Sequence, residues 1–157
     1  MKKLKKYKGH YSLVNCLVKC NDKSFASASN DKSIKIWDYL NSKCINTLKG
    51  HNGYVLSLTL LKDGRLCSGS ADNTIKIWNL EEYSCDNTLN GHYTPVRCVF
   101  QLSNGYIISG SEDNNLVIWY NYNDQLFVLK GHEKGINGIC QISNKIFASS
   151  SSDKTIR

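Results

Sequence analysis

Apolar and polar residues alternate along much of the chain. Ile34 and Ile36 flank Lys35, Ile75 and Ile77 flank Lys76, and Ile118 holds the matching place further on. A period of two marks a strand with one buried face. Four β-rich runs follow one another at 55–60, 65–70, 74–80 and 85–89. Lys62-Asp63-Gly64 and Ala71-Asp72-Asn73 lie between the first three, and 81–84 leads into the last. Such punctuation predicts antiparallel strands joined by tight turns. No stretch of ten or more residues carries a helical stripe, which excludes a parallel α/β fold. Tyr106-Ile107-Ile108 and 145–148 are more continuously apolar, as expected of strands near the centre of the molecule. Small residues at Ser27-Ala28-Ser29 and Ser68-Gly69-Ser70 predict close approach of neighbouring sheets.

The four-strand unit recurs. Gly-His stands at Gly9-His10, Gly50-His51, Gly91-His92 and Gly131-His132, at intervals of 41, 41 and 40 residues. A tryptophan follows each of the first three histidines after 27 residues, at Trp37, Trp78 and Trp119. An aspartate follows all four after 21 residues, at Asp31, Asp72, Asp113 and Asp153. Ser27, Ser68, Ser109 and Ser149 stand four residues before those aspartates. A period in the forties with one supersecondary unit per repeat points to a radial or stacked array.

Three features together resemble the WD40 repeat family: the Gly-His pair, the Ser-x-Ser-x-Asp turn, and the run Ile34-Lys35-Ile36-Trp37-Asp38. The later repeats depart at the last dipeptide, reading Trp78-Asn79 and Trp119-Tyr120, a position the family varies. The resemblance covers essentially all 157 residues and implies an all-β fold of propeller blades, each of four antiparallel strands. On this reading 9–49, 50–90 and 91–130 are full repeats and 131–157 is a truncated one. Residues 1–8 form a lone outer strand, with 4–7 in register with 45–48. That makes just under four blades, an incomplete ring. The fourth repeat stops two positions before its expected tryptophan, so a piece of a longer protein of about seven blades is the leading expectation. Self-association of two copies into an eight-bladed ring, and a closed four-bladed ring, are the alternatives.

The resemblance also implies a hydrogen-bonded tetrad in each blade. These are His10, Ser27, Asp31 and Trp37; His51, Ser68, Asp72 and Trp78; His92, Ser109, Asp113 and Trp119; and the partial set His132, Ser149 and Asp153. In such a tetrad the aspartate accepts from imidazole, the other ring nitrogen meets the serine hydroxyl, and that hydroxyl accepts the indole N–H. A Ser-His-Asp set could also suggest a nucleophilic triad. Here it repeats around the molecule, whereas an enzyme needs one asymmetric site, and the tetrads use every histidine in the chain. The expectation is therefore a non-enzyme without metal or cofactor.

Charge changes this picture little. The net charge of +7 includes Lys2, Lys3, Lys5, Lys6 and Lys8, and the remainder is nearly balanced. Lysines on an outer strand guard against edge-to-edge pairing. Only Tyr7 is interleaved with them, so no base-stacking platform is visible and nucleic acid is a disfavoured partner. The longest apolar stretches are too short to span a bilayer, so no membrane role is expected. Seven cysteines without a Cys-x-x-Cys pair read as small half-buried thiols in a reducing compartment, the cytoplasm first and the nucleus second.

A scaffold that binds peptides or protein domains on the rim carrying the Gly-His loops is the function expected, with no small-molecule substrate. By resemblance, the third and fifth residues after each histidine face the partner, as does the residue before each tetrad aspartate. These are Leu13, Asn15 and Asn30; Tyr54, Leu56 and Ala71; Pro95, Arg97 and Glu112; and Gly135, Asn137 and Ser152. Tyr54, Leu56 and Arg97 are the strongest anchors, since aromatic and arginine side chains dominate hot spots. The alternative is the substrate-recognition portion of a larger enzyme assembly, such as a ubiquitin-ligase receptor or a kinase with an appended propeller.

Overall fold

The computed structural model describes residues 4–120 and 124–157. Strands β1 (Val14–Lys19), β2 (Ser24–Ser29), β3 (Ser33–Asp38) and β4 (Lys43–Lys49) form the first sheet. The second comprises β5 (Val55–Leu60), β6 (Leu66–Ser70), β7 (Ile75–Asn79) and β8 (Ser84–Leu89). A third follows with β9 (Val96–Gln101), β10 (Ile107–Ser111), β11 (Leu116–Tyr120) and β12 (Asp124–Leu129). The last pairs β13 (Ile136–Ser143) with β14 (Ile146–Ser151). Each sheet is an antiparallel meander in chain order.

The sheets fan out from their first strands. β5 packs on β1 and β2, β9 on β5 and β6, and β13 on β9 and β10. No packing of similar extent joins β13 or β14 to β1 among the described residues, so the ring is not closed. Between the first two sheets Ala26, Ala28, Ile34, Ile36 and Leu48 meet Val55, Leu58, Leu66 and Trp78. The next interface repeats the recipe with Cys67, Ile75, Ile77 and Leu89 against Val96, Val99, Ile107 and Trp119. Burial of this apolar area, at roughly 25 cal/mol per Å², is the main force holding sheet to sheet.

Small residues allow that approach. A Cβ added at Gly69 would stand 2.8 Å from Val96 Cγ1, and one at Gly110 would stand 2.6 Å from Ile136 Cγ2. The turn after the second strand of each sheet places the residue after the tetrad aspartate in the left-handed region. These are Lys32, Asn73, Asn114 and Lys154, with φ between 68° and 72°. The preceding aspartate stabilises the turn: Asp31 Oδ1 accepts from the Ser33 N–H at 3.0 Å and the Ser33 hydroxyl at 2.6 Å.

The open ends of the fan differ from its interior. Val14 is 51% exposed and Leu17 65%, whereas Val55, at the place of Val14 in the second sheet, is fully buried. At the other end Ile146 and Ile156 are exposed, and Lys145 also faces solvent. Among the described residues no further sheet covers that face of β14.

The expected lone outer strand is corrected, for the part of it that lies within the described residues. Segment 4–8 carries no strand, and no described strand pairs with it. Instead the segment is pinned to the first blade by side chains. Lys5 Nζ donates to the Tyr39 carbonyl at 2.6 Å, and Tyr7 packs edge-on against Phe25 and Trp37. The thiols are more varied than expected too. Cys16 and Cys20 are half-buried and Cys44, Cys85 and Cys140 exposed, while Cys67 and Cys98 are buried; burial pushes the Cys98 thiol up to about 12.

Candidate partner-binding site

Two sets of residues recur in every blade, one inside it and one on its rim. In the first blade His10 Nδ1 donates to Asp31 Oδ2 at 2.7 Å, and His10 Nε2 meets Ser27 Oγ at 2.6 Å. The Trp37 indole N–H donates to the same hydroxyl at 2.7 Å. His51, Ser68, Asp72 and Trp78 repeat this at 2.7–2.8 Å, and His92, Ser109, Asp113 and Trp119 at 2.8 Å throughout. In the fourth blade His132 bonds Asp153 at 2.7 Å and Ser149 at 2.9 Å. All these bonds are satisfied together by an imidazole carrying its proton on Nδ1.

In the second and third blades the network is closed to solvent. Ser68 and Ser109 are fully buried, and the side chains of His51 and His92 are 1% exposed. At the two open ends of the fan the tetrad residues are less enclosed: Ser27 with His10, and Ser149 with His132, line surface cavities. Burial alone would raise the Asp31, Asp72 and Asp153 carboxyls. Hydrogen bonds outweigh it and hold all three well below the ordinary carboxylate range: from Ser33 and His10 on Asp31, His51 and Thr74 on Asp72, and Thr155 and His132 on Asp153. Among the described residues no group of three His, Cys, Asp or Glu side chains is placed to hold a metal ion.

The rim is built by a β-bulge. In each first strand one residue is left out of the ladder: Asn15 between Val14 and Cys16, Leu56 between Val55 and Ser57, Arg97 between Val96 and Cys98, and Asn137 between Ile136 and Gly138. A bulge bends its strand and re-aims the extra side chain. Beneath it a backbone bond recurs, from Asn30 to Leu13, Ala71 to Tyr54, Glu112 to Pro95 and Ser152 to Gly135, at 2.8–3.1 Å.

Side chains from several blades converge there on one concavity of about 510 Å³. Its walls are Asn15, Tyr54, Leu56 and Ala71 on one side and Pro95, Arg97, Glu112 and Asn137 on the other. Arg97 bonds Glu112 through Nε at 2.9 Å and Nη2 at 2.7 Å, and Asn137 Oδ1 through Nη1 at 3.2 Å. Asn15 Nδ2 reaches Asn30 Oδ1 at 2.7 Å and, across the seam, the Val55 carbonyl at 2.8 Å.

The family model described as "WD domain, G-beta repeat" matches residues 1–38, 42–79, 83–120 and 123–157. This chain belongs to the WD40 repeat family. Among solved structures it is similar to the WD40 beta propeller domain of Doa1, with 32% identity and a TM-score of 0.88. That likeness covers 96% of this chain and 51% of the other, so the chain spans about half the length of that propeller. No curated protein matches it.

The WD40 repeat and the blade are out of phase. The second match, 42–79, runs from β4 of the first blade through β5, β6 and β7 of the next, so one sequence repeat stitches two blades together. Of the rim residues expected from the WD40 resemblance, Leu13 lies outside the concavity and is 71% exposed. Asn30, Gly135 and Ser152 also lie outside it but are bonded to the bulge or the backbone beneath it. The bulge itself was not expected: a single extra residue leaves the apolar-polar alternation of a short strand almost unchanged.

Proposed function

We propose that this chain is a non-catalytic interaction scaffold that binds peptides or protein domains on the rim carrying the Gly-His loops. Propellers of this family generally serve as platforms for protein partners. The observation that carries the reading is the convergence of rim residues on one concavity. Tyr54 and Leu56 present apolar surface there, beside the arginine of an ordered ion pair. Rigid, partly apolar surfaces with aromatic and arginine anchors have the composition of interface hot spots. The tetrads hold all four histidines in structural bonds, which favours a non-catalytic role. Seven free thiols fit a reducing compartment, and we place the protein in the cytoplasm.

The test is capture of proteins on the immobilised chain and on its Tyr54→Ala, Leu56→Ala and Arg97→Ala variants. At least two of the variants are expected to weaken a captured partner by about fivefold or more. Unchanged affinity in all three removes the rim from the function.

A further inference from the structure

The rim pairs each bulge residue with the residue before the tetrad aspartate, and each blade does so with a different chemistry. Asn15 faces Asn30 as amide to amide, Arg97 faces Glu112 as cation to anion, and Asn137 faces Ser152 as amide to hydroxyl. These polar groups bond one another. The second blade differs, with Leu56 and Ala71 at the same two positions. Tyr54, which is 50% exposed, and Pro95 extend this apolar window within the concavity. The charged groups lining it are Arg97 and Glu112, which cancel.

We infer that the Leu56–Ala71 window sets the specificity of the rim, accepting one apolar side chain from an uncharged peptide segment. The inference rests on the rim being the binding surface and names the partner chemistry that surface selects. An apolar side chain set against Tyr54, Leu56 and Pro95 leaves water without disturbing an existing bond. A carboxylate there meets an Arg97 already held by Glu112 and Asn137, and an ammonium meets a Glu112 already held by Arg97. Either charge is desolvated with no uncommitted counter-charge to receive it. Both signs are therefore rejected, whereas a basic or acidic pocket would reject only one.

The probe is a phage-displayed library of random linear peptides panned on the whole chain, with the recovered binders then tested on Leu56→Asp. The recovered sequences are expected to share one apolar position and no fixed acidic or basic residue. A synthetic peptide of that consensus should lose about tenfold in affinity when its apolar residue becomes Asp, and about as much when it becomes Lys. Its affinity should change by less than about threefold between roughly 50 and 500 mM NaCl. Leu56→Ser, a milder replacement at a half-buried surface position, should weaken the same peptide and guards against a folding failure of Leu56→Asp. Amide chemical shifts locate the bound peptide.

Binding at the rim that requires one sign of charge, or that ignores both Leu56 variants, overturns the inference while leaving the rim as the binding surface. A library with no peptide that maps to the rim overturns the rim reading, and this inference with it.

Discussion

The tetrad and the rim occupy fixed positions in the same repeat, yet they use their positions in opposite ways. At the tetrad all four residue types repeat in the first three blades and histidine, serine and aspartate in the fourth, with bond lengths within 0.3 Å of one another. At the rim the backbone repeats while the side chains change from amide to apolar to charged to amide. The difference follows from solvent. A buried polar group without its partner costs about 1–3 kcal/mol, so substitution inside the blade carries a penalty. A bulge residue at the surface can lose its partner to water at little cost, so the rim is free to acquire chemistry.

The largest effect is expected from removing an indole. Trp78 is 1% exposed, packs into the core between the first two sheets and donates to Ser68. Trp78→Ala should cost about 3–5 kcal/mol and lower the melting midpoint by about 10 °C or more. A loss below about 1 kcal/mol would mean that the blade does not depend on its tetrad.

Asp72→Ala comes next. It removes the acceptor of His51 Nδ1 and of the Asn52 and Thr74 backbone N–H groups, for an expected cost of about 1–3 kcal/mol. Its acid limb sharpens the point. The Asp72 carboxyl is held below its ordinary range in the folded chain. Its contribution is therefore complete above the unfolded value of about 4 and is lost as pH falls through the lower folded value. Chemical denaturation between about pH 4 and 2 should show stability falling less steeply in Asp72→Ala than in the parent. Parallel slopes would place that carboxyl in an ordinary, solvated setting.

The tetrads were legible because histidine and tryptophan are rare and their spacing leaves little room for chance. The strands of the second repeat were equally plain, since turn residues bracket them closely and β5 falls where its alternation ends. The seams between sheets were not legible, because a seam depends on one residue meeting another about forty positions away. Gln101 accepts from the Lys62 N–H and Gln141 from the Ser103 N–H, both at 2.8 Å, bolting the third blade to the second and the fourth to the third. Leu60 stands at the matching place in the second blade. A groove of about 540 Å³ between the first two blades is lined by Asn21, Ile36, Ile45 and Tyr83. A glutamine in a strand reads as surface whether it bolts a seam or not. The opposite chemistry of the rim pairs was hidden for the same reason: Arg97 and Glu112 lie fifteen residues apart and meet only because the bulge turns the arginine outward.

Arg97→Ala tests the other side of the comparison and should have the smallest effect on folding. The Arg97 and Glu112 side chains are 44% and 40% exposed, so their attraction is screened by water and salt. An exposed pair of this kind contributes about 0.2–1 kcal/mol, even with two guanidinium nitrogens engaged. The midpoint should therefore fall by no more than about 3 °C, and by less still at high salt. Glu112 keeps its backbone bond to Pro95, so the loop has no reason to collapse when the guanidinium goes. If Arg97→Ala instead destabilises the chain as much as Asp72→Ala, the ion pair helps to hold the blade together. The rim would then be under the same constraint as the interior, and its varied chemistry could not be attributed to binding.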